Sequence, residues 1–110
     1  MAGYLLGEEG PFTGLVISLE TGDEWIVGRD PSLVFQVLED PMVSRKHVLF
    51  RKTDEGYTIE NLSVVNPTEL NHKELDEPTL LREGDLVQIG NSNFRFSLDC
   101  LLYTSPSPRD

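Results

Sequence analysis

Short apolar runs alternate with polar, turn-forming stretches along most of this chain. Within the runs, β-branched and aromatic residues often take every second position, which is the period of a strand with one buried face. No segment shows the period of an amphipathic helix. The pattern predicts about nine short strands at intervals of roughly 8–12 residues. They fall at residues 4–6, 15–19, 24–27, 35–38, 48–52, 57–60, 80–81, 86–89 and 94–98. Such a sequence is typical of an all-β sandwich or barrel.

Two of these strands are joined by a tight turn. The apolar run 48–52 is followed by the turn-forming residues 54–56 and then by the run 57–60. Strand, short turn and strand in succession predict a β-hairpin. Residues 61–71, by contrast, are mostly polar and have little periodicity, which predicts a long loop.

The chain is predicted to hold one folded domain. Its 110 residues are enough to bury a core without disulfides or metals. The character of the sequence changes near the end, where residues 104–108 read Thr-Ser-Pro-Ser-Pro and cannot pair in a sheet. We therefore expect the domain to span residues 1–98 and residues 99–110 to form a disordered linker or a foreign tail.

Composition narrows the classes of function. The 19 acidic and 9 basic residues give a formal net charge of −10, which argues against general affinity for nucleic acid. The single cysteine, Cys100, and the lack of a long apolar run or signal-like N-terminus predict a cytoplasmic domain without direct membrane contact. Metal-ligand spacing, a phosphate loop and a dinucleotide fingerprint are all missing from the sequence, so we expect no enzyme, metal or cofactor.

Three polar clusters interrupt the strand pattern at strand ends, which predicts that they are loops. They read Gly-Arg at 28–29, Ser-Arg-Lys-His at 44–47 and Asn-Pro-Thr-Glu-Leu-Asn at 66–71. The glycine is expected to allow a backbone conformation that a Cβ would oppose. Together the clusters supply a guanidinium fork, a hydroxyl, two further cations and side-chain amides. These groups are better suited to binding a phosphorylated peptide than to catalysing a reaction on one.

Arg29 is the strongest single candidate for a phosphate ligand, because its planar fork of donors matches phosphate oxygens. Ser44 can donate its hydroxyl to the same group, and Arg45 or Lys46 can add a second cation. Residues 45–52 contain four cations, Arg45, Lys46, Arg51 and Lys52, and no acidic residue. A basic patch that is merely solvated would show the same run.

His47 follows Ser44 by three residues, a spacing that suggests a nucleophile and its base. No orienting carboxylate or glycine-rich elbow accompanies the pair. We therefore expect His47 to brace its loop through hydrogen bonds of the ring, and we predict no catalytic residue.

Four ordered motifs resemble the signature of the forkhead-associated (FHA) domain family. The chain has the clusters at 28–29, 44–47 and 66–71, followed by Gly-Asp-Leu-Val-Gln-Ile-Gly at 84–90. The family has G-R, S-R-x-H, N-G-T-x-V-N and G-D-x-I-x-I-G. The resemblance covers residues 4–98. It implies a β-sandwich of about eleven short, mostly antiparallel strands, whose loops at one end bind phosphothreonine peptides.

The resemblance also implies a role for each cluster. Its phosphate ligands are an arginine and a serine with a second arginine beside them, and an asparagine bonds the main chain of the peptide. In this chain these residues are Arg29, Ser44, Arg45 and Asn66, with Lys46 and Thr68 as accessory candidates. The residues implied to shape the loops are Gly28, His47 and Asn71. The implied partner is a protein or peptide that contains phosphothreonine.

Three positions depart from the family pattern. Pro67 replaces the usual glycine, which removes an N–H and fixes φ near about −65°. Val65 stands where the family often has Thr or Ser, whose hydroxyl also touches the phosphate. The missing donor costs about 1–2 kcal/mol, or about tenfold in affinity. Phe35 is either a core residue or an exposed contact for a partner, and the strand pattern favours the core.

A narrower resemblance offers an alternative function. Residues 7–11, 14–17 and 23–31 resemble the amino-terminal cytoplasmic FHA domain of a type III secretion inner-ring protein from chlamydia-like bacteria, which would make the parent a membrane-ring protein. Some ring domains of that kind keep the fold and lose phosphate binding. The alternative is therefore a phosphate-independent assembly domain, whereas the retained Arg29 and Ser44 favour phosphate binding.

Overall fold

The structure, a computed structural model, describes residues 2–20 and 22–99. These residues form eleven strands and no helix, and hence no helix that could cross a membrane. The strands are β1 (Ala2–Glu9), β2 (Val16–Leu19), β3 (Glu24–Gly28), β4 (Gln36–Val37), β5 (Val48–Thr53), β6 (Gly56–Asn61), β7 (Glu69–Leu70), β8 (Lys73–Glu74), β9 (Thr79–Leu80), β10 (Leu86–Ile89) and β11 (Ser92–Asp99).

The strands form two sheets with the core between them. One sheet has the order β2-β1-β11-β10-β7-β8, and the other has the order β4-β3-β5-β6-β9. Paired strands are antiparallel except β3 and β4, which run parallel at the edge of the second sheet. The all-β, mostly antiparallel sandwich is therefore confirmed, together with the eleven strands that the resemblance implied.

Alternate strand positions supply the core, as the period of two requires. Trp25 and Val27 of β3 are buried while Glu24 is exposed, and β5 buries Val48 and Phe50 in the same way. Burying a large apolar side chain contributes about 1.5–3 kcal/mol. The alternating pattern in the sequence thus reports directly which face of each strand points inward.

Tyr57 joins the two sheets. Its ring on β6 lies 5.9 Å from the ring of Trp25 and 5.7 Å from the ring of Phe96 on β11. The Tyr57 hydroxyl donates to the Leu19 carbonyl at 3.0 Å and accepts from the Gly3 N–H at 3.0 Å. The buried phenol is therefore satisfied at its polar end while its ring packs in the core.

All nine predicted strands are present, with ends that shift by a few residues. The two strands that the sequence did not reveal, β7 and β8, have three charged residues and one apolar residue between them, so no apolar run marks them in the sequence. β11 extends to Asp99, one residue beyond the predicted domain boundary. The rest of the predicted tail, residues 100–110, lies outside the described residues.

Phe35 is not a core residue, contrary to what the strand pattern favoured. Its side chain is 51% exposed, whereas Leu38 is completely buried. β4 begins only after Phe35, whose N–H bonds the Ile26 carbonyl at 2.8 Å as the chain returns to the sheet edge. The apolar position that fills the core is therefore Leu38.

Candidate functional site

The candidate site is built on the ends of three neighbouring strands. The end of β3 pairs with the start of β5, and the start of β5 pairs with the end of β6. Because these strands are antiparallel, the segments next to these ends leave the sheet on the same side. We call these segments, residues 29–35, 38–47 and 62–68, the first, second and third rim loops.

The first two rim loops are joined main chain to main chain. The Arg29 N–H donates to the Ser44 carbonyl at 3.0 Å, and the Asp30 N–H donates to the Arg45 carbonyl at 3.4 Å. The structure thus places Arg29 and Ser44, the two phosphate ligands implied by the sequence, side by side on one rim.

Gly28 permits this close approach. A Cβ at this position would lie 2.2 Å from the Arg45 carbonyl oxygen, far inside van der Waals contact. Gly28 is not one of the glycines with positive φ. Glycine is therefore required here by lack of space, and not by the unusual backbone conformation that the sequence suggested.

Three cations stand exposed on the rim loops, namely Arg29, Arg45 and Lys46. Their side chains form no ion pair or hydrogen bond with the described part of the chain. Arg51 differs, because it forms an ion pair with Glu24 at 2.8 Å across the neighbouring strands β5 and β3. The run of four cations seen in the sequence is therefore not a single patch with equally available charges.

Asp30 places one carboxylate at the edge of this rim. It accepts hydrogen bonds from the Ser32 hydroxyl at 2.7 Å and the Ser32 N–H at 2.9 Å. These bonds, helped by the charge of Arg45, lower the pKa of Asp30. The acid is therefore ionised at neutral pH and turns the first rim loop locally.

His47 is fully buried and holds the second rim loop from inside. Its Nδ1 accepts from the Ser44 N–H at 3.0 Å, so the neutral ring carries its proton on Nε2. Burial lowers the pKa of His47, and the nearby Asn66 main chain and Asp40 carboxylate oppose that lowering only in part. The ring contacts the main chain of Ser44 and not its Oγ, which braces the loop without activating a nucleophile.

The third rim loop is tied to the second through Ser63 and Asn66. The hydroxyl oxygens of Ser44 and Ser63 are 2.7 Å apart. The side-chain Nδ2 of Asn66 donates to the Met42 carbonyl at 3.1 Å, and its main-chain N–H donates to Ser63 Oγ at 3.2 Å. Asn66 is therefore at the rim, with its NH₂ joining two loops. Its Oδ1 makes no hydrogen bond within the described residues.

Asn61 organises the third rim loop from its base. Its Oδ1 accepts from the N–H of Ser63 at 3.1 Å, and from the N–H and hydroxyl of Thr68 at 2.9 and 3.1 Å. Its Nδ2 donates to the Ser63 carbonyl at 2.8 Å. Thr68 is completely buried. Thr68 was expected to be an accessory contact for the ligand, but its buried hydroxyl instead bonds Asn61 and stabilises the loop.

Asp40 is a further structural residue that sequence reasoning missed. Its carboxylate, only 2% exposed, accepts from the Met42 N–H at 2.9 Å and from the Asn91 N–H and Nδ2 at 3.0 and 3.1 Å. Burial alone would raise the pKa of Asp40, but these hydrogen bonds outweigh it and lower the pKa. The carboxylate thereby fastens the second rim loop to the turn between β10 and β11.

Asn71 lies in the two-residue turn between β7 and β8 and has a φ of 52°. Its Nδ2 donates to Asp85 Oδ1 at 3.1 Å, and its Oδ1 accepts from the Leu86 N–H at 3.0 Å. These bonds link the turn to the start of β10. The structure does not bring Asn71 into hydrogen-bonding contact with Arg29 or Ser44, and it serves the turn.

Exposed apolar side chains are concentrated on the rim loops. Most of the large apolar residues exposed in the described chain belong to these loops, namely Leu33, Phe35, Met42, Val64 and Val65. Val64 and Val65 are the most exposed, at 92% and 80%. A shallow depression of ≈ 260 Å³ beside Met42, Asn66 and Pro67 is otherwise bordered mostly by polar side chains, two glutamates among them. The rim loops thus carry exposed apolar side chains as well as the three cations, and exposed apolar surface is common where proteins meet.

Two curated proteins match part of this chain in sequence. The chain is 36% identical over 56 residues to mouse proliferation marker protein Ki-67, of which it spans 2%. It is 34% identical over 96 residues to an oxoglutarate dehydrogenase inhibitor of Corynebacterium diphtheriae, covering 86% of this chain and 64% of that protein. The chain therefore spans only part of the curated relatives that it matches.

Solved structures show the same fold. One, from a study of phosphothreonine-dependent FHA domain interactions, has a TM-score of 0.78 and 25% identity, covering 92% of this chain and 100% of that one. The FhaA FHA domain complexed with the intracellular domain of Rv3910 has a TM-score of 0.73 and 26% identity, over 86% and 98% of the two chains. The FHA domain of CT664 from Chlamydia trachomatis, at 24% identity and a TM-score of 0.79, covers 88% of this chain and 97% of its own.

A family model decides the relationship. The model of the FHA domain matches residues 25–90, which include the ends of β3, β5 and β6 and all three rim loops. With more than half of the 110 residues matched and the sandwich in place, this chain belongs to the FHA domain family.

Proposed function

We propose that this domain recognises phosphothreonine in a partner protein and holds the phosphate between Arg29 and Ser44. One observation carries the proposal: the Arg29 N–H bond to the Ser44 carbonyl at 3.0 Å holds the two main chains side by side. The exposed Arg29 guanidinium, which has no partner in the described chain, and the Ser44 hydroxyl therefore start from neighbouring positions on the rim. A phosphate ester carries about −1.5 to −2 charges at neutral pH and offers three acceptor oxygens. The guanidinium and hydroxyl together satisfy such a group.

The remaining rim residues complete the proposed site. Arg45 and Lys46, the two residues after Ser44, add positive charge beside it. Asn66 Oδ1 is available to accept a hydrogen bond from a main-chain N–H of the peptide. Exposed charges are screened over about 8 Å at physiological salt. The local cations therefore matter more to a bound phosphate than the net charge of −10. One structurally similar FHA domain comes from a study of phosphothreonine-dependent interactions, which supports the assignment.

We propose no enzymatic activity, because the imidazole of His47 is occupied by the Ser44 main chain. From the cysteine usage we propose a cytoplasmic location for the domain.

A second candidate function is phosphate-independent assembly, as in the secretion ring that the narrower resemblance suggested. The observation that favours it is the exposed apolar surface of the rim loops, especially Val64 and Val65. Such a surface would bind a neighbouring protein without any phosphate. The secretion-ring parent stays part of this second proposal.

Titration of a phosphothreonine peptide library and its unphosphorylated twin separates the two candidates. We expect micromolar binding of phosphorylated peptides only. Arg29→Ala should weaken that binding by at least about 1.5 kcal/mol, or about tenfold, because a charge-assisted bond to the phosphate is lost. The matched control is Arg51→Ala, which removes an arginine already paired with Glu24 and should leave affinity unchanged.

Equal binding of the two peptides, with no effect of Arg29→Ala, would make assembly the better account. Ionic strength gives an independent check. Because the proposed contact is between charges, affinity should fall as salt rises, and an affinity that ignores salt would count against the phosphate site.

A further inference from the structure

Two serine hydroxyls meet at the centre of the rim. Ser44 Oγ and Ser63 Oγ are 2.7 Å apart, the usual length of an O–H···O hydrogen bond, although 19 positions separate the residues. Ser44 is partly exposed, whereas Ser63 is only 3% exposed. One hydroxyl can thus reach a ligand while the other stays behind it.

The direction of this bond follows from the other contacts of Ser63. A hydroxyl has one proton to donate and two lone pairs to accept with. Ser63 Oγ already accepts from the Asn66 N–H at 3.2 Å, and within the described chain Ser44 Oγ is the acceptor available to its proton. The reverse direction would leave the buried Ser63 proton without an acceptor, at a cost of about 1–3 kcal/mol. Ser63 therefore donates to Ser44, and the Ser44 proton is left to point outward.

Ser63 is itself held rigidly. The Asn61 side chain accepts from the Ser63 N–H at 3.1 Å and donates to the Ser63 carbonyl at 2.8 Å. The next two residues, Val64 and Val65, have no hydroxyl and stand in solvent. Ser63 is thus the residue through which this part of the third rim loop acts on Ser44.

We propose that Ser63 is a positioning residue for phosphate recognition, which it serves by turning the Ser44 hydroxyl proton toward the ligand. The proposal rests on the proposed function of the rim. Donation runs from the Asn66 N–H to Ser63 and from Ser63 to Ser44, and each bond polarises the next so that Ser44 becomes a stronger donor. Ser63 is buried behind Ser44, so the effect that we propose for it on the phosphate passes through the Ser44 hydroxyl.

A double-mutant cycle tests this dependence. Affinity for a phosphothreonine peptide is measured for the wild type, Ser44→Ala, Ser63→Ala and the double variant. We expect Ser63→Ala to weaken binding roughly three- to tenfold in the wild type, and less than about twofold when Ser44 is already alanine. Ser63→Thr keeps the hydroxyl and should restore affinity. Ser18→Ala removes a hydroxyl bonded to Glu20 outside the rim and serves as the control.

Ser63→Cys keeps the size of the side chain and replaces the hydroxyl with a weak donor, so it provides the same comparison if Ser63→Ala does not fold. An equal loss of affinity in both Ser44 backgrounds, or no loss in either, would overturn the positioning role. If the wild type fails to prefer the phosphorylated peptide, the proposed function itself fails. If the wild type prefers the phosphorylated peptide and Arg29→Ala weakens that binding, the proposed function stands. The double-mutant cycle then tests the role of Ser63 alone.

Discussion

The turn of the β5–β6 hairpin is held by hydrogen bonds between residues close in sequence, whereas the rim loops are held by hydrogen bonds between residues far apart in sequence. In the hairpin, the Thr53 hydroxyl donates to the Gly56 carbonyl at 3.3 Å and accepts from the Glu55 N–H at 3.2 Å. These bonds span three and two residues. Gly56, with a φ of 137°, takes a backbone conformation that other residues avoid. Everything the turn needs is therefore encoded within a few consecutive residues.

The rim loops depend on distant partners instead. The hydroxyl bond between Ser44 and Ser63 spans 19 positions, and the bonds from Asn91 to Asp40 span 51. Each bond joins segments whose meeting depends on the whole sandwich. The difference teaches that the hairpin turn is encoded by residues next to one another in the sequence, whereas the geometry of the candidate site exists only once the sheets have formed.

Removing a long-range contact should have the largest effect. Asp40→Ala should lower the free energy of unfolding by roughly 2–3 kcal/mol, because three hydrogen bonds to a buried carboxylate are lost. Asp54→Ala, in the local hairpin turn, should change it by no more than about 0.5 kcal/mol. Both are measured by urea denaturation. Equal losses in the two variants would break the distinction between the two regions.

A hydroxyl added to the third rim loop at position 65 should strengthen the binding of a phosphothreonine peptide. Val65→Thr replaces an 80% exposed side chain with one of the same shape and restores the donor that the family often has there. We expect affinity for a phosphothreonine peptide to rise about tenfold, or about 1–1.5 kcal/mol. Val64→Thr makes the same change one residue away and should give no gain. A similar gain in both variants, measured by calorimetry, would show that position on the rim is irrelevant.

In the turn between β7 and β8, a single local substitution is expected to raise stability. Asn71 and His72 have φ of 52° and 70°, as in a type I′ turn, where glycine is preferred at the second position. His72→Gly should therefore stabilise the domain by about 0.5–1 kcal/mol and leave phosphopeptide affinity unchanged. A loss of stability on thermal unfolding would mean that His72 has contacts that outweigh its backbone strain.

The smallest expected effect is a pH dependence from His47. Because burial lowers its pKa below the ordinary 6.5, the unfolded chain takes up a proton first as the pH falls. The contribution of neutral His47 to the free energy of unfolding should therefore be fully present above pH 6.5. It should decrease as the pH falls toward the pKa of His47 in the folded state. In the His72→Gly variant His47 is the remaining histidine of the two. Unfolding free energies of that variant that stay constant between about pH 7.5 and pH 5.5 would contradict the neutral, buried ring.

Much of the fold could be predicted because strand period and turn residues are local signals. The alternation around Trp25 and Phe50 gave the buried faces, and the turn before Gly56 gave the hairpin. Phe35 misled because a two-residue edge strand has too short a period to set its register. β7 and β8 were missed because Leu70 is the one apolar residue among their four.

The candidate site could be predicted only where its residues form compact motifs. Arg29 and Ser44 were found because each lies in a recognisable cluster. Ser63 and Asp40 were missed because nothing in the sequence around either residue indicates its distant hydrogen-bond partner. Thr68 was misjudged because its motif gives no sign of whether the hydroxyl points outward or, as the structure shows, inward.

A crystal structure of the domain with a phosphothreonine peptide tests the central claim most directly. We predict that the phosphate oxygens lie within hydrogen-bonding distance of both the Arg29 guanidinium and Ser44 Oγ, at about 2.7–3.0 Å. A peptide bound at the rim with its phosphate in solvent, or bound to another surface of the sandwich, would contradict the account.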